Sequence, residues 1–312
     1  MSARLVFGES PIKDLYRKVI WGPYREALGR LPAGWELRAN RRLGQLAAVG
    51  ARGKGAQLRR NLARAFPGRD LDPIVRQVFE THFVDQYISW TFARIAAGQG
   101  SAYLEIRGLE HLEAARAQGR GAVLIHPHMG PAQLPLCELG ARGVPVLQVG
   151  GGGVEGPISA EGARVTALRH ALEKDIPGQI LDGGGYVRPV LRALADNQVV
   201  LTACDGTGGG KEMGRRIPKA VLGQRMRLPV GGVWFALKSG APLLTLVTHR
   251  EAKGWVSEIG APLPLDRSLP TKAALDQGAE FIAEFLGRCL HQWPGDWHFW
   301  DEFEPGRFLE AP

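Results

Sequence analysis

Cysteine is scarce. The 312 residues contain three, Cys137, Cys204 and Cys289, and they stand far apart. They form no Cys-x-x-Cys or other metal-binding spacing, and an odd count without a framework predicts a reducing compartment. Long apolar runs are missing too. None approaches the roughly 18–20 residues that a membrane-spanning helix needs, and the first residues lack the apolar centre of a signal peptide. Membrane association, if any, is expected to be peripheral. The glycine run Gly150–Gly153 has neither GxGxxG nor GxxxxGK spacing, so it is not read as a phosphate loop. There is no HExxH and no second close histidine pair. No nucleic-acid recognition motif accompanies the basic residues.

What is present is ordinary for a folded protein: 45% hydrophobic and 22% charged residues. The 42 glycines and 21 prolines predict many tight connections. Charge is uneven. The first 70 residues hold 15 Lys/Arg against 5 Asp/Glu, so they carry +10 of a net +8 and the remainder is −2. A basic arm on a near-neutral body suggests an anionic membrane surface or a nucleic acid as partner. A solvated basic helix face is the competing reading.

Residues 11–66 read as two or three helices. Leu15, Val19, Ile20, Tyr24 and Leu28 recur at helical spacing, with Lys13, Arg17, Lys18 and Arg25 between them. Gly22-Pro23 interrupts that pattern. Leu43, Leu46, Leu58, Leu62 and Phe66 continue it, flanked by Arg41, Arg42, Arg59, Arg60 and Arg64. This composition suits a basic interfacial helix, or a helix packed on the body with its cations in water. Asp72-Pro73 reads as N-cap and N1 of a helix reaching about Ala97, with Val75, Val78, Phe79, Phe83, Tyr87 and Trp90 as its core stripe.

An α/β pattern begins near Tyr103. Strands are expected at 103–107, 121–125, 144–149, 178–181, 199–204 and 243–248, with an antiparallel or edge strand at 255–259. Helices are expected at 160–174, 186–196, 229–239 and 271–293. Alternating strands and helices predict an α/β fold: a mostly parallel central sheet flanked by helices, with an N-terminal basic helical extension. The expected division is 1–100 helical and membrane-facing, 101–312 catalytic body, integrated as one domain.

Gly121–Ile125 is a short buried strand that stops at His126-Pro127-His128-Met129-Gly130-Pro131. Two prolines and a glycine in six residues force a turn there. Imidazoles just past the carboxyl end of a buried strand sit where open α/β sheets place their chemistry. Two other apolar strands end in Asp205 and in His249-Arg250. If the strands are parallel, all three ends share one edge.

Three chemistries fit. In the first, His128 takes a proton from an acceptor hydroxyl, which attacks an acyl thioester directly. A helix from about Pro131 then offers free N–H groups to the oxyanion, and a carboxylate orients the base. In the second, His126 and His128, joined by His170, Asp205 and His249, hold a hydrolytic metal ion. Pro127 and the turn disturb the alternation this needs. In the third, the chain binds lipid or nucleic acid without catalysis.

The run His128-Met129-Gly130-Pro131-Ala132-Gln133 resembles the His-x4-Asp/Glu block of the lipid A biosynthesis acyltransferases, a family that includes mycobacterial mannolipid-acylating relatives. Asn61–Pro67 is similar to the family's Asn-x-x-x-x-Phe-Pro signature. Gly108–Leu112 and Gly119–Gly121 resemble its lead-in, Leu191–Asp205 its helix–strand–Asp segment, Leu222-Gly223 with 229–242 its substrate loop and next helix, and Trp293–Trp297 its Pro-x-x-Trp region. Together these span about residues 10–305. The resemblance implies an acyl-carrier-protein or coenzyme A thioester as donor, no cofactor, and a lipid or glycolipid hydroxyl or amine as acceptor. It implies no nucleic acid, and a peripheral position on the cytoplasmic face of the cell membrane. It makes His128 the base, and Gly130, Gly223 and Arg250 substrate-binding positions. Arg250 either meets donor phosphate or pairs structurally.

The sequence also departs from the family. Gln133 stands where an acid is usual, and an amide cannot stabilise an imidazolium by charge. Glu138 and Asp205 are the substitutes, Asp205 preferred. Pro131, Ala132 and the acidic segment His298–Phe303 also differ, and the usual N-terminal anchor is not found, so lipid A itself is not the expected acceptor.

Overall fold

A computed structural model describes residues 9–150, 158–181, 187–206 and 214–311. Gly151–Gly153 of the glycine run, the Gly183-Gly184-Gly185 stretch expected to break the chain before the helix at 186, and Tyr186 at that helix's start lie outside the described residues.

Helix α1 (Pro11–Val19) is capped by Ser10, whose hydroxyl accepts from the Lys13 N–H. It packs inside-out. Ile12, Leu15 and Val19 are 69%, 64% and 48% exposed, whereas Lys13 and Arg17 are buried. These two cations are paired at the helix edge: Lys13 reaches Glu9 at 2.7 Å, and Arg17 reaches Glu9 at 2.8 Å and Asp14 at 3.1 Å. Of the stripe read at helical spacing, Leu15 and Val19 face outward and Ile20 and Leu28 are buried. Gly22 breaks the helix as expected, at φ −113°, ψ −111°, ahead of α2 (Arg25–Gly29).

Helices α3 (Trp35–Gly50) and α4 (Arg52–Ala65) follow. Leu58, Leu62 and Phe66 are core; Leu46 is exposed. Helix α5 (Asp72–Gln86) has Asp72 as its first helical residue and ends at Gln86, eleven residues before the expected end at Ala97. Irregular turns and the short α6 (Phe92–Arg94) complete that span. Burial on α5 extends beyond one stripe: Glu80, Thr81, His82 and Asp85 are buried together with Val75, Val78, Phe79 and Phe83. Its polar face underlies the site.

The central sheet has seven strands, in the order β1 (Leu104–Arg107), β9 (Trp255–Ile259), β8 (Leu243–Arg250), β2 (Ala122–His126), β5 (Val199–Ala203), β3 (Val146–Val149) and β4 (Gln179–Leu181). All neighbours are parallel except β8 and β9. Strand β9 is antiparallel as expected but internal, because β1 covers its outer side. All of β2 is buried, as strands covered on both faces require. Val123 and Ile125 join one core, with Val190, Val233 and Leu286. Ala122 and Leu124 join the other, with Leu112 and Leu136. The helices supplying these layers are α7 (Leu109–Arg116), α8 (Leu134–Ala141), α9 (Ala160–Glu173), α10 (Val187–Ala195), α11 (Gly231–Ser239) and α12 (Thr271–Gln292).

A second, two-stranded sheet was not expected. Strands β6 (Arg216–Val221) and β7 (Gln224–Pro229) pair as a hairpin whose turn has Leu222 at φ 48° and Gly223 at φ 73°. After α12 the chain returns over α4 and α5. Asn61 Nδ2 donates to the Trp300 carbonyl at 2.9 Å, and Lys54 pairs with Asp301 at 2.7 Å. The N-terminal helices are thereby tied to the end of the α/β body.

Candidate active site

Strands β2 and β5 pair in register from Ala122 against Val199 to His126 against Ala203. Two residues further along each strand stand His128 and Asp205. The level is shared, and the side chains meet: His128 Nδ1 lies 2.7 Å from Asp205 Oδ1. The backbone N–H of His128 donates to Asp205 Oδ2 at 2.7 Å, and Trp297 Nε1–H donates to the same oxygen at 2.8 Å. Asp205 is fully buried; the His128 side chain keeps 16% exposure. Burial by itself lowers an imidazole pKa, but the Asp205 charge and hydrogen bond outweigh it and hold His128 above its ordinary value. Burial raises a carboxyl, but the His128 charge and the donated hydrogen bonds hold Asp205 below its ordinary value. No described residue hydrogen-bonds to Nε2 of His128, so a base with one fixed nitrogen and one free nitrogen results.

The turn after β2 is held from both sides. Gly130 has φ +59°, and a Cβ there would stand 2.9–3.0 Å from Thr248 and Trp255. Its N–H donates to the Asp296 carbonyl at 2.8 Å, and its carbonyl accepts from His298 Nε2 at 2.6 Å. Met129 N–H bonds Pro127 O, and Ala132 N–H bonds Asp85 Oδ1 at 3.0 Å. Helix α8 begins only at Leu134. The N–H groups of His128, Met129, Gly130 and Ala132 are therefore all spent inside the protein. Of the N–H groups expected to face an oxyanion at the start of the helix, that of Ala132 goes to Asp85 and that of Leu134 to the Pro131 carbonyl. Gly130 shapes the turn because no side chain fits there.

Beneath lies the polar face of α5. Asp296, fully buried, accepts from Gln77 Nε2 at 2.9 Å, Thr81 Oγ1 at 3.0 Å and the Arg250 N–H at 2.9 Å. The Arg250 guanidinium pairs with Glu80, which also accepts from Gln45. Of its two expected uses, Arg250 is placed in the structural one, because Glu80 is its buried counter-charge.

The remaining expected site residues fall elsewhere. Gln133 precedes α8, and its carbonyl accepts from Cys137; no hydrogen bond joins it to His128. Its position five residues on carries it past the turn and away from Nδ1. Glu138 pairs with Arg142 at 2.8 Å. Gly223 occupies the hairpin turn, where its positive φ is its use. His126 is buried and its pKa is lowered to about 4, by burial and then by the His128 charge. The two-histidine metal arrangement does not form: Asp205 takes Nδ1 of His128, and His170 is exposed on α9. His249 stacks on Trp293 at 3.8 Å. Among the described residues, the one group placed to surround a cation is His249, Glu251 and Glu258, and its carboxylates already share Arg107.

Trp297, His298 and Phe299 were not among the expected site residues. The Phe299 ring lies 4.7 Å from that of His128, and the His298 N–H donates to the His128 carbonyl at 3.0 Å. The available signal was the Pro294-x-x-Trp297 block, which carries no information about its partner strand. The three cysteines are buried, and burial pushes the Cys137 and Cys289 thiols up to about 12 and Cys204 well above its usual range. None is a thiolate nucleophile at neutral pH.

A phosphatidylinositol mannoside acyltransferase of Mycolicibacterium smegmatis is 27% identical over 290 residues, 85% of this chain and 87% of that protein. One of Mycobacterium tuberculosis is 28% identical over 259 residues, 78% of this chain and 74% of that protein. Among solved structures, the 1-acyl-sn-glycerophosphate acyltransferase PlsC of Thermotoga maritima matches with a TM-score of 0.37 at 12% identity, over 76% of this chain and 88% of that one, a likeness too low to build on. The model of the bacterial lipid A biosynthesis acyltransferases matches residues 24–301, more than half of the chain, and the protein belongs to that family of lipid and glycolipid acyltransferases.

Proposed function

We propose that the protein moves a fatty acyl group from an acyl-carrier-protein or coenzyme A thioester to a hydroxyl of a membrane glycolipid, with His128 as general base. The observation that carries this is the 2.7 Å pairing of His128 Nδ1 with Asp205, which leaves Nε2 unbonded. Nε2 takes the acceptor hydroxyl proton as the oxygen attacks the thioester carbonyl carbon. The tetrahedral intermediate collapses, the C–S bond breaks, and the departing sulfur takes the proton back from the imidazolium. An ester and a thiol result, and no protein nucleophile is needed, consistent with three buried, protonated cysteines.

The names of the mycobacterial relatives point to a phosphatidylinositol mannoside or a related glycolipid as acceptor. Gln133 gives no support to a non-catalytic chain, since Asp205 already supplies the charge at Nδ1. No helix among the described residues is long and apolar enough to cross a membrane. The outward stripe Ile12, Leu15 and Val19, with Trp35, Arg38, Arg42 and Leu46 on the exposed side of α3, suits peripheral binding to the anionic cytoplasmic face of a bilayer.

The test is acyl transfer by purified protein from a long-chain thioester to extracted glycolipid, read by mass spectrometry. The wild type should form an acylated product and His128→Ala should not. Equal turnover by His128→Ala would refute the mechanism.

A further inference from the structure

Trp297 is fully buried, and its indole nitrogen can only donate. A buried indole N–H needs an acceptor. It could have found a backbone carbonyl, as Trp300 does with Pro294 O at 2.6 Å. Instead it reaches Asp205 Oδ2, the carboxylate oxygen that does not face the imidazole nitrogen.

A carboxylate rotates in a broad, two-fold torsional well, so burial alone does not fix its plane. Two donors on Oδ2 do. One is the His128 N–H, which belongs to the same residue as the imidazole and moves with it. The other comes from an independent element. The segment around Trp297 is anchored by Asp296 on Gln77 and Thr81 and by the Met129–Trp297 bridge. Edge-on contacts with Trp300, Phe303 and Phe308, at 4.9, 5.9 and 5.6 Å, fix the indole plane.

We propose that Trp297 is a positioning residue for the acyl transfer: its indole N–H fixes the rotation of the Asp205 carboxylate, so that Oδ1 is presented to Nδ1 of His128 and Nε2 to the acceptor. This rests on His128 being the base. Trp297 touches no reacting atom and acts through Asp205.

The proposal has a pH signature. The ionisable groups around His128 are Asp205 beyond β5, Asp85 on α5, His126 at the end of β2 and His298 in the C-terminal segment. Trp297→Phe leaves all four in place and removes one donor from Asp205. The carboxylate charge is then less dispersed and holds the imidazolium more firmly, so His128 loses its proton at higher pH.

The experiment measures kcat/KM for acyl transfer against pH in the wild type, W297F and W300F, with His128→Ala as the reference for the base. W297F should move the acid limb up by about 0.5–1 pH unit, the order expected for one hydrogen bond to a charged carboxylate. W300F removes an indole N–H from the same aromatic core without touching Asp205. It should lower thermal stability and leave the limb in place. A folded W297F with the wild-type limb, or both variants shifting alike, overturns the proposal. If His128→Ala keeps full turnover, the base assignment fails instead, and the two failures are distinct. Should W297F not fold, benzothienylalanine at 297 keeps the ring shape and replaces only the N–H. The same upward shift is expected, and an unmoved limb again overturns the proposal.

Discussion

Asp205 meets His128 twice: Oδ1 at the ring Nδ1 and Oδ2 at the backbone N–H, each at 2.7 Å. Both contacts follow from the equal two-residue overrun of His128 past His126 and Asp205 past Ala203 on paired strands. The imidazole is thus referenced to the neighbouring strand and not to its own loop.

Asp205→Asn tests what that charge does. The amide cannot balance an imidazolium, and an amide N–H facing Nδ1 moves the ring proton to Nε2, where the base must be free. Turnover should fall by roughly 10²–10⁴-fold. The acid limb of kcat/KM should move to lower pH, because burial still depresses the His128 pKa once the charge that raised it is gone. A limb that stays in place would show that His128 does not carry it.

Gln133→Ala should do little. The side chain makes no hydrogen bond to His128, so turnover should stay within about three-fold of wild type, the scatter of a substitution away from any special feature. A loss comparable to that of Asp205→Asn would return Gln133 to the site.

Acid should destabilise the fold through buried neutral histidines. His126 and His82 are each lowered to about 4, chiefly by burial. The unfolded chain binds these protons first, near the ordinary value of about 6.5, so stability is full above that pH and falls as pH drops toward 4. Each contributes at most roughly 3 kcal/mol to that fall. Tm measured from pH 7 to 4 should decline less steeply in His126→Asn than in the wild type, and an equal slope would contradict the assignment.

The inverted α1 predicts a separation of stability from membrane binding. Leu15→Glu with Val19→Glu should change stability by little, since both side chains are already in water. Binding to anionic phospholipid vesicles should fall about ten-fold or more, from the ~1.5–3 kcal/mol of each aliphatic side chain no longer buried. Arg17→Ala should do the reverse: it removes a buried side chain and its pairs with the exposed Glu9 and half-buried Asp14, and lowers Tm. Unchanged vesicle binding by the double variant would remove the membrane role of this face.

The strands that carry the site were legible. Ala122–His126, Val199–Ala203 and Leu243–Arg250 are apolar runs ended by polar turns, and strands covered on both faces leave that mark. The β6–β7 hairpin was not seen. Only Val221, Met226 and Leu228 of its residues are buried, and that is too weak an alternation to stand out among arginines and prolines. The helix α5 was legible in its apolar stripe but not in its polar one. Glu80, Thr81 and Asp85 are buried because distant segments bring them Arg250, Asp296 and the Ala132 N–H.

By itself, then, the sequence determined which strands are buried and that His128 sits on a glycine–proline turn at a strand end, since these depend on local apolar patterning and backbone sterics. Tertiary structure decided the rest. Strand register selected Asp205 over Gln133 as the partner of His128, because a side chain's reach is set by which strand lies alongside it. The chain's return after α12 placed Trp297 on that carboxylate. Contacts with Glu9, Asp14 and Ser159 hold Lys13 and Arg17 of α1 while Leu15 and Val19 face out, because a charged side chain follows its hydrogen-bonding partners, whatever the helical period permits.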